Sequence, residues 1–128
     1  MDTKDLEQFI AHLQFLGYEV DQKEDSLRAS HAMKMNLWVR PLAGGILFFS
    51  IYSLSESALT NRLELLEFIN NLNQNATVSR FCLGSENDFH MEAWYPDFYT
   101  KVNFGEFLNA HEFDCSLLGK FEAGKFLS

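Results

Sequence analysis

The sequence predicts an α+β fold built on a single antiparallel sheet, with elements in the order α-βββ-α-ββ-α. Three observations carry this. Apolar residues recur at helical spacing near both ends of the chain and once in the middle. Between them lie segments that alternate apolar and polar residues, and short turns rather than helices join those segments. Strands joined by short turns pair antiparallel, which separates this class from doubly wound folds.

The first helix is expected from about Thr3 to Leu16. Leu6, Phe9, Ile10, Leu13 and Leu16 form one stripe, Asp2 or Thr3 is placed to cap it, and Gly17 stops it. Asp21 to Ser26 is charged and reads as a turn. Leu27 to Ala32 is a weak strand. Met33 to Arg40 alternates, with Met33, Met35, Leu37 and Val39 on one side. Ile46 to Leu54 is apolar on both faces, as a central strand is.

Ser55 or Ser57 is placed to cap a second helix over about Ala58 to Asn73. Its expected main stripe is Leu59, Leu63, Leu66, Ile69 and Leu72, widened by Leu65 and Phe68. The asparagines that follow compete with helix through their side chains. Thr77 to Leu83 and Asn87 to Tyr95 read as a hairpin about Gly84-Ser85-Glu86, with Phe89, Met91, Ala93 and Tyr95 inward. A last helix from about Asn103 to Phe121 carries Phe104, Phe107, Leu108, His111, Cys115 and Leu118 on one stripe. The aromatic tail after it, with Phe121, Phe126 and Leu127, is free to dock on its own domain or on a neighbour.

At 128 residues, with no linker, repeat or low-complexity tract, one domain over 1–128 is expected. Eighteen acidic against ten basic residues give a net charge of −8, and no basic cluster relieves it. Such a chain repels phosphate backbones and anionic lipid surfaces, so neither nucleic acid nor membrane is an expected partner. Met1-Asp2-Thr3-Lys4-Asp5 lacks the basic and apolar regions of a secretory signal, and the cytoplasm is the expected compartment.

Motifs of catalysis are sparse. His12, His31, His90 and His111 are far apart in sequence, and Cys82 and Cys115 form no ligand-spaced pair, so no metal or other cofactor is expected. His111 and Cys115 fall on one helix face four residues apart, the spacing of a thiol–imidazole pair; two packed core residues are the plainer reading. Glu64, Glu67, Glu106, Glu112 and Asp114 read as solvated helix charges. No enzyme is expected.

The stretch Leu65-Leu66-Glu67-Phe68-Ile69-Asn70-Asn71-Leu72-Asn73, followed by Arg80-Phe81-Cys82-Leu83 and an acidic turn, resembles the YbjN family. That family carries the label of bacterial sensory transduction regulator and has a fold similar to type III secretion chaperones of the Tir type. The resemblance spans nearly the whole chain and brings no catalytic residues. It implies a chaperone-like or regulatory role, in which another protein is the partner and the chain is a homodimer.

Aromatic and arginine residues at polar-side positions of the strands mark the candidate partner-binding surface: Trp38, Arg40, Tyr52, Arg80, His90, Glu92 and Trp94. The second helix covering that face, or a second copy on it, are the competing readings. The alternative function is a small-ligand or metal-binding domain with a pocket near His90, Glu92 and Trp94.

Overall fold

The computed structural model describes residues 6–128. A six-stranded antiparallel sheet of order β1-β2-β3-β4-β6-β5 is flanked by helices. The strands are β1 Glu19–Gln22, β2 Leu27–Ser30, β3 Leu37–Leu42, β4 Gly45–Ser53, β5 Arg80–Leu83 and β6 Asp88–Pro96. The helices are α1 Glu7–Phe15, α2 Glu56–Thr60, α3 Arg62–Asn75 and α4 Lys101–Lys120. The expected α+β class holds, with one strand more and one helix split. Internal contacts gather into two compact units, Met1–Ser50 with Trp94–Leu108 and Ile51–Ala93 with Asn109–Ser128.

In the first unit, α1 buries Leu6, Phe9 and Leu13 as its stripe requires. The expected cap at Asp2 or Thr3 lies outside the described residues. Gly17 adopts φ +98, a left-handed value that ends the helix at little cost only for glycine. β1 occupies Glu19–Gln22, where the sequence reading has a turn from Asp21. A four-residue strand with one half-buried side chain shows no alternation, and only its register against β2, Glu19 to Ser30 through Gln22 to Leu27, reveals it.

The strand expected from Met33 begins instead at Leu37, and Met33 is 88% exposed. His31 is the cause. Its Nδ1 accepts from the backbone N–H of Met33 (2.9 Å) and of Lys34 (3.1 Å), which leaves Nε2–H to donate to the Leu16 carbonyl (3.1 Å). The chain therefore folds around the ring before it extends. Inward, Leu27 faces Val39 and Val39 faces Phe48 across the ladder. Ring contacts extend this core, edge-to-face between Phe9 and Phe104 (4.9 Å, 90°) and tilted between Tyr95 and Phe107 (4.8 Å).

In the second unit, Ser55 Oγ accepts from Ala58 N–H (3.1 Å) and caps α2. The helix expected as one piece breaks at Asn61 (φ −120, ψ 70). Beyond the break the buried residues are Leu65, Phe68, Ile69 and Leu72, whereas Leu59, Leu63 and Leu66 are exposed at 58%, 72% and 44%. Two leucine stripes lie side by side here, and helical period alone does not choose between them. The aromatic partners choose: Phe68 stacks on Phe126 at 4.5 Å and meets Phe89 at 5.9 Å. The tail thus docks on its own unit. Ser55 N–H donates to the Phe126 carbonyl (2.7 Å), Ser128 N–H donates to the Ser53 carbonyl (3.0 Å), and Leu127 bridges Leu54.

Asp114, read from the sequence as a solvated helix charge, has no exposed surface. Its Oδ1 accepts from Thr77 N–H (2.8 Å) and Thr77 Oγ1 (2.9 Å), and its Oδ2 from Val78 N–H (3.0 Å) and Ser79 N–H (2.8 Å). Asn73 of α3 acts alongside it on β5, its Oδ1 accepting from Phe81 N–H and its Nδ2 donating to Phe81 O, both at 2.8 Å.

Asp114→Ala leaves four donors that meet at a buried carboxylate without an acceptor, and is expected to lower the unfolding free energy by about 3 kcal/mol. Glu106→Ala, on the exposed side of α4, is expected to change it by less than about 0.5 kcal/mol. Urea unfolding of the two variants checks the contrast.

Candidate functional site

The seven residues expected at a partner surface fall into different settings. In the first unit, strand alternation turns Arg28, Trp38 and Phe49 to the side opposite the buried row, and the ladder sets them in one line: Arg28 opposite Trp38, Trp38 opposite Phe49. The Arg28 guanidinium lies 5.5 Å over the Trp38 ring, and Arg40 lies 5.6 Å over Phe49. Trp38 and Phe49 are half-buried, Arg28 and Arg40 exposed. Neither guanidinium forms an ion pair among the described residues. Trp94 is 46% exposed and donates from Nε1 to the Leu42 carbonyl (2.8 Å). Its ring rests on Gly45, where a Cβ would collide with it and with the Tyr95 carbonyl. That close approach requires glycine.

In the second unit, Arg80 and Glu92 face each other in register on β5 and β6. Arg80 donates from Nε (2.8 Å) and Nη2 to Glu92 Oε2. His90 Nδ1 stands 3.5 Å from Glu92 Oε1, and its Nε2 3.1 Å from Asp88 Oδ2. That Nε2 is shut off from solvent beside the Asp88 carboxylate. The His90 imidazole holds the Asp88 carboxyl below its ordinary value. Both side chains close over Gly84, where a Cβ would strike them. Burial, then the Glu92 carboxylate, pushes the Cys82 thiol up.

Tyr52 stands apart from these groups. Its ring is 6.4 Å from the buried Phe89, and burial with Cys115 nearby raises its hydroxyl pKa. Parity with Phe48 and Ser50 puts it on the buried row of β4, and the exposed row instead shows Ile51 at 45%. Sequence reasoning missed Arg28 and Phe49. Arg28 was legible from its parity between Leu27 and Ala29; Phe49 was not, because β4 is apolar on both rows.

His111 and Cys115 do come together, with Sγ 3.6 Å from Nδ1. Burial pushes the thiol up to about 12, helped by the charges of Asp114 and Glu112, and burial lowers the His111 imidazole. Thiolate and imidazolium are both disfavoured, the reverse of an activated pair. No disulfide joins Cys82 and Cys115.

Among the described residues no group of three His, Cys, Asp or Glu is placed to hold a metal ion. A cavity of about 330 Å³ opens between Lys23, Leu27, Arg40 and Pro41, and another of about 390 Å³ between Glu64, Phe68, Lys120 and Phe126. His90, Glu92 and Trp94 line neither. Among the described residues no helix is long and apolar enough to cross a membrane.

No family model matches the chain, and no curated protein matches it. Among solved structures it is similar to YbjN from E. coli, a candidate transcription regulator. The TM-score is 0.72 at 16% identity, over 96% of this chain and 95% of that one. The fold is YbjN-like; at that identity the likeness is one of fold.

His111 generates a pH dependence. Its pKa is lowered in the folded protein from 6.5, so the unfolded chain binds the proton more readily. The stability that this group contributes is full above pH 6.5 and is lost as pH falls through the folded value. Urea unfolding between pH 7 and pH 5 is expected to show stability falling with acid by at most about 1.4 kcal/mol per pH unit from this group. His111→Leu should flatten that slope; an unchanged slope would assign it elsewhere.

Proposed function

We propose that the chain is a non-enzymatic protein-interaction module with a regulatory or chaperone-like role, acting in the cytoplasm as one domain and as a homodimer. Trp38, Arg40 and Trp94 are its partner-binding residues in the first unit. Arg80, His90, Glu92 and Tyr52 are its partner-binding residues in the second. The observation that carries this is the line of arginines stacked on half-buried aromatic rings, Arg28 over Trp38 and Arg40 over Phe49, with the indole of Trp94 half in solvent. Aromatic and arginine anchors of this kind dominate binding energy at protein interfaces. Stacking fixes them before the partner arrives, which reduces the ordering cost of association.

The alternative, a ligand or metal pocket near His90, Glu92 and Trp94, has less support. The Arg80, Glu92, His90 and Asp88 side chains are engaged with one another. The likeness to YbjN agrees with an interaction module at the level of fold.

The test is capture of partners by the tagged protein from lysate of its native host, beside Trp38→Ala and Trp94→Ala variants whose folding is verified by circular dichroism. A specific protein retained by the parent chain and held about tenfold more weakly by each variant is the expected result. Equal retention by all three would remove the open face of β2 and β3 as the binding surface.

A further inference from the structure

Arg28, Trp38, Arg40 and Phe49 leave the sheet on one side, from β2, β3 and β4. Trp94 joins them, because Gly45, on which its ring rests, shares parity with Phe49 on β4. All of these residues belong to the first unit. Each guanidinium lies over a ring, and neither donates a hydrogen bond or closes an ion pair among the described residues. Carboxylates of the same chain are near: Asp21 stands opposite Arg28 in the ladder, and Glu24 and Asp25 border the cavity that Arg40 also borders. Neither arginine turns to them. A guanidinium over a ring is attracted to the ring face through its charge and keeps its N–H donors, set in the fork that matches a carboxylate. Both forks are positioned and unfilled.

We propose that this face takes an acidic segment of the partner protein, an extended stretch with carboxylates at alternate positions, one on Arg28 and one on Arg40. The inference rests on the interaction reading above and names the chemistry of the partner. Register sets the spacing. Arg28 is opposite Trp38, and Arg40 follows Trp38 by two residues, so strand separation and rise put the two Cα atoms about 8 Å apart. Alternate side chains of an extended segment leave it about 6.7 Å apart on one side, a difference that the long arginine stems absorb. The charge of the chain favours a protein segment over a nucleic acid. The net charge is −8, and Glu19 and Asp21 on β1 flank the same face. A nucleic-acid strand carries a phosphate at every step and sets some of them against those carboxylates. A protein segment with acids only at the two arginines does not.

Trp38 and Trp94 are the two tryptophans of the chain, so intrinsic fluorescence of the full chain reads occupancy of this face. The probe is the synthetic peptide Ser-Thr-Glu-Thr-Glu-Thr-Ser. Its control has Gln for both Glu, and oligothymidylate is the competing polyanion. The Glu peptide is expected to change the fluorescence saturably and to bind about tenfold more tightly than the Gln control. That advantage should disappear in Arg28→Gln and Arg40→Gln, both at exposed positions and checked for folding by circular dichroism. Equal binding of the Glu and Gln peptides overturns the acidic partner. The interaction reading then stands if Trp38→Ala still loses the captured protein, and falls with it if capture is unchanged. A Glu preference that survives in both arginine variants overturns the placement on this face. Tighter binding of oligothymidylate than of the Glu peptide overturns the proposal in favour of a nucleic acid.

Discussion

The carboxylate of Asp114 holds together the part of the chain that is least able to hold itself. β5 is a four-residue strand at the edge of the sheet, and it pairs with β6 on one side only. The Gly84 N–H donates to the Asp88 carbonyl (2.7 Å), which fixes the parity of the ladder. Phe81 therefore turns its N–H and C=O away from β6, and the lead-in residues 77–79 have no strand beside them. Helix side chains take the place of the missing strand: Asp114 accepts four hydrogen bonds from residues 77–79, and Asn73 brackets Phe81 from both its backbone groups. Without them the backbone groups of residues 77–79 and Phe81 would lose these partners, and those of the buried Phe81 would be orphaned at about 1–3 kcal/mol each. Held this way, Phe81 is buried 6.0 Å from Phe89.

An edge closed by side chains does not recruit another strand. The hairpin side chains engage one another, Arg80 with Glu92, and His90 beside Glu92 and Asp88. Burial also silences the chemistry the sequence hints at, by holding Cys115 and His111 neutral. What stays exposed is of another kind: arginines stacked on Trp38 and Phe49 in the first unit, and leucines of α2 and α3 in the second. The protein-interaction role proposed above rests on the first of these.

Much of this was legible in the sequence, and the exceptions share a cause. Alternation at Phe89, Met91, Ala93 and Tyr95, the α1 stripe and the Gly84 turn follow from local period and turn chemistry, which one strand or helix expresses by itself. The α+β class follows from them. Asp114 was illegible because a carboxylate among Glu106 and Glu112 reads as solvent-facing until a distant backbone, 35 to 37 residues away, supplies its donors. The α3 face was ambiguous because Leu63 and Leu66 lie beside Leu65 and Phe68, and only Phe126 and Phe89 decide which row is covered. His31 bends Met33 and Lys34 around an imidazole that pattern reasoning treats as a polar residue. Tyr52 follows a strand apolar on both rows, where parity does not identify the outer face. In each case the deciding partner is remote in sequence.

The central claim is that side chains of α3 and α4 serve as the outer partner of β5, and amide hydrogen exchange followed by NMR tests it most directly. The Val78, Ser79 and Phe81 amides should exchange slowly, within about tenfold of the Met91 amide inside the sheet, because they open only when the edge itself opens. Exchange at those three positions as fast as in the Ser85–Asn87 turn would contradict it.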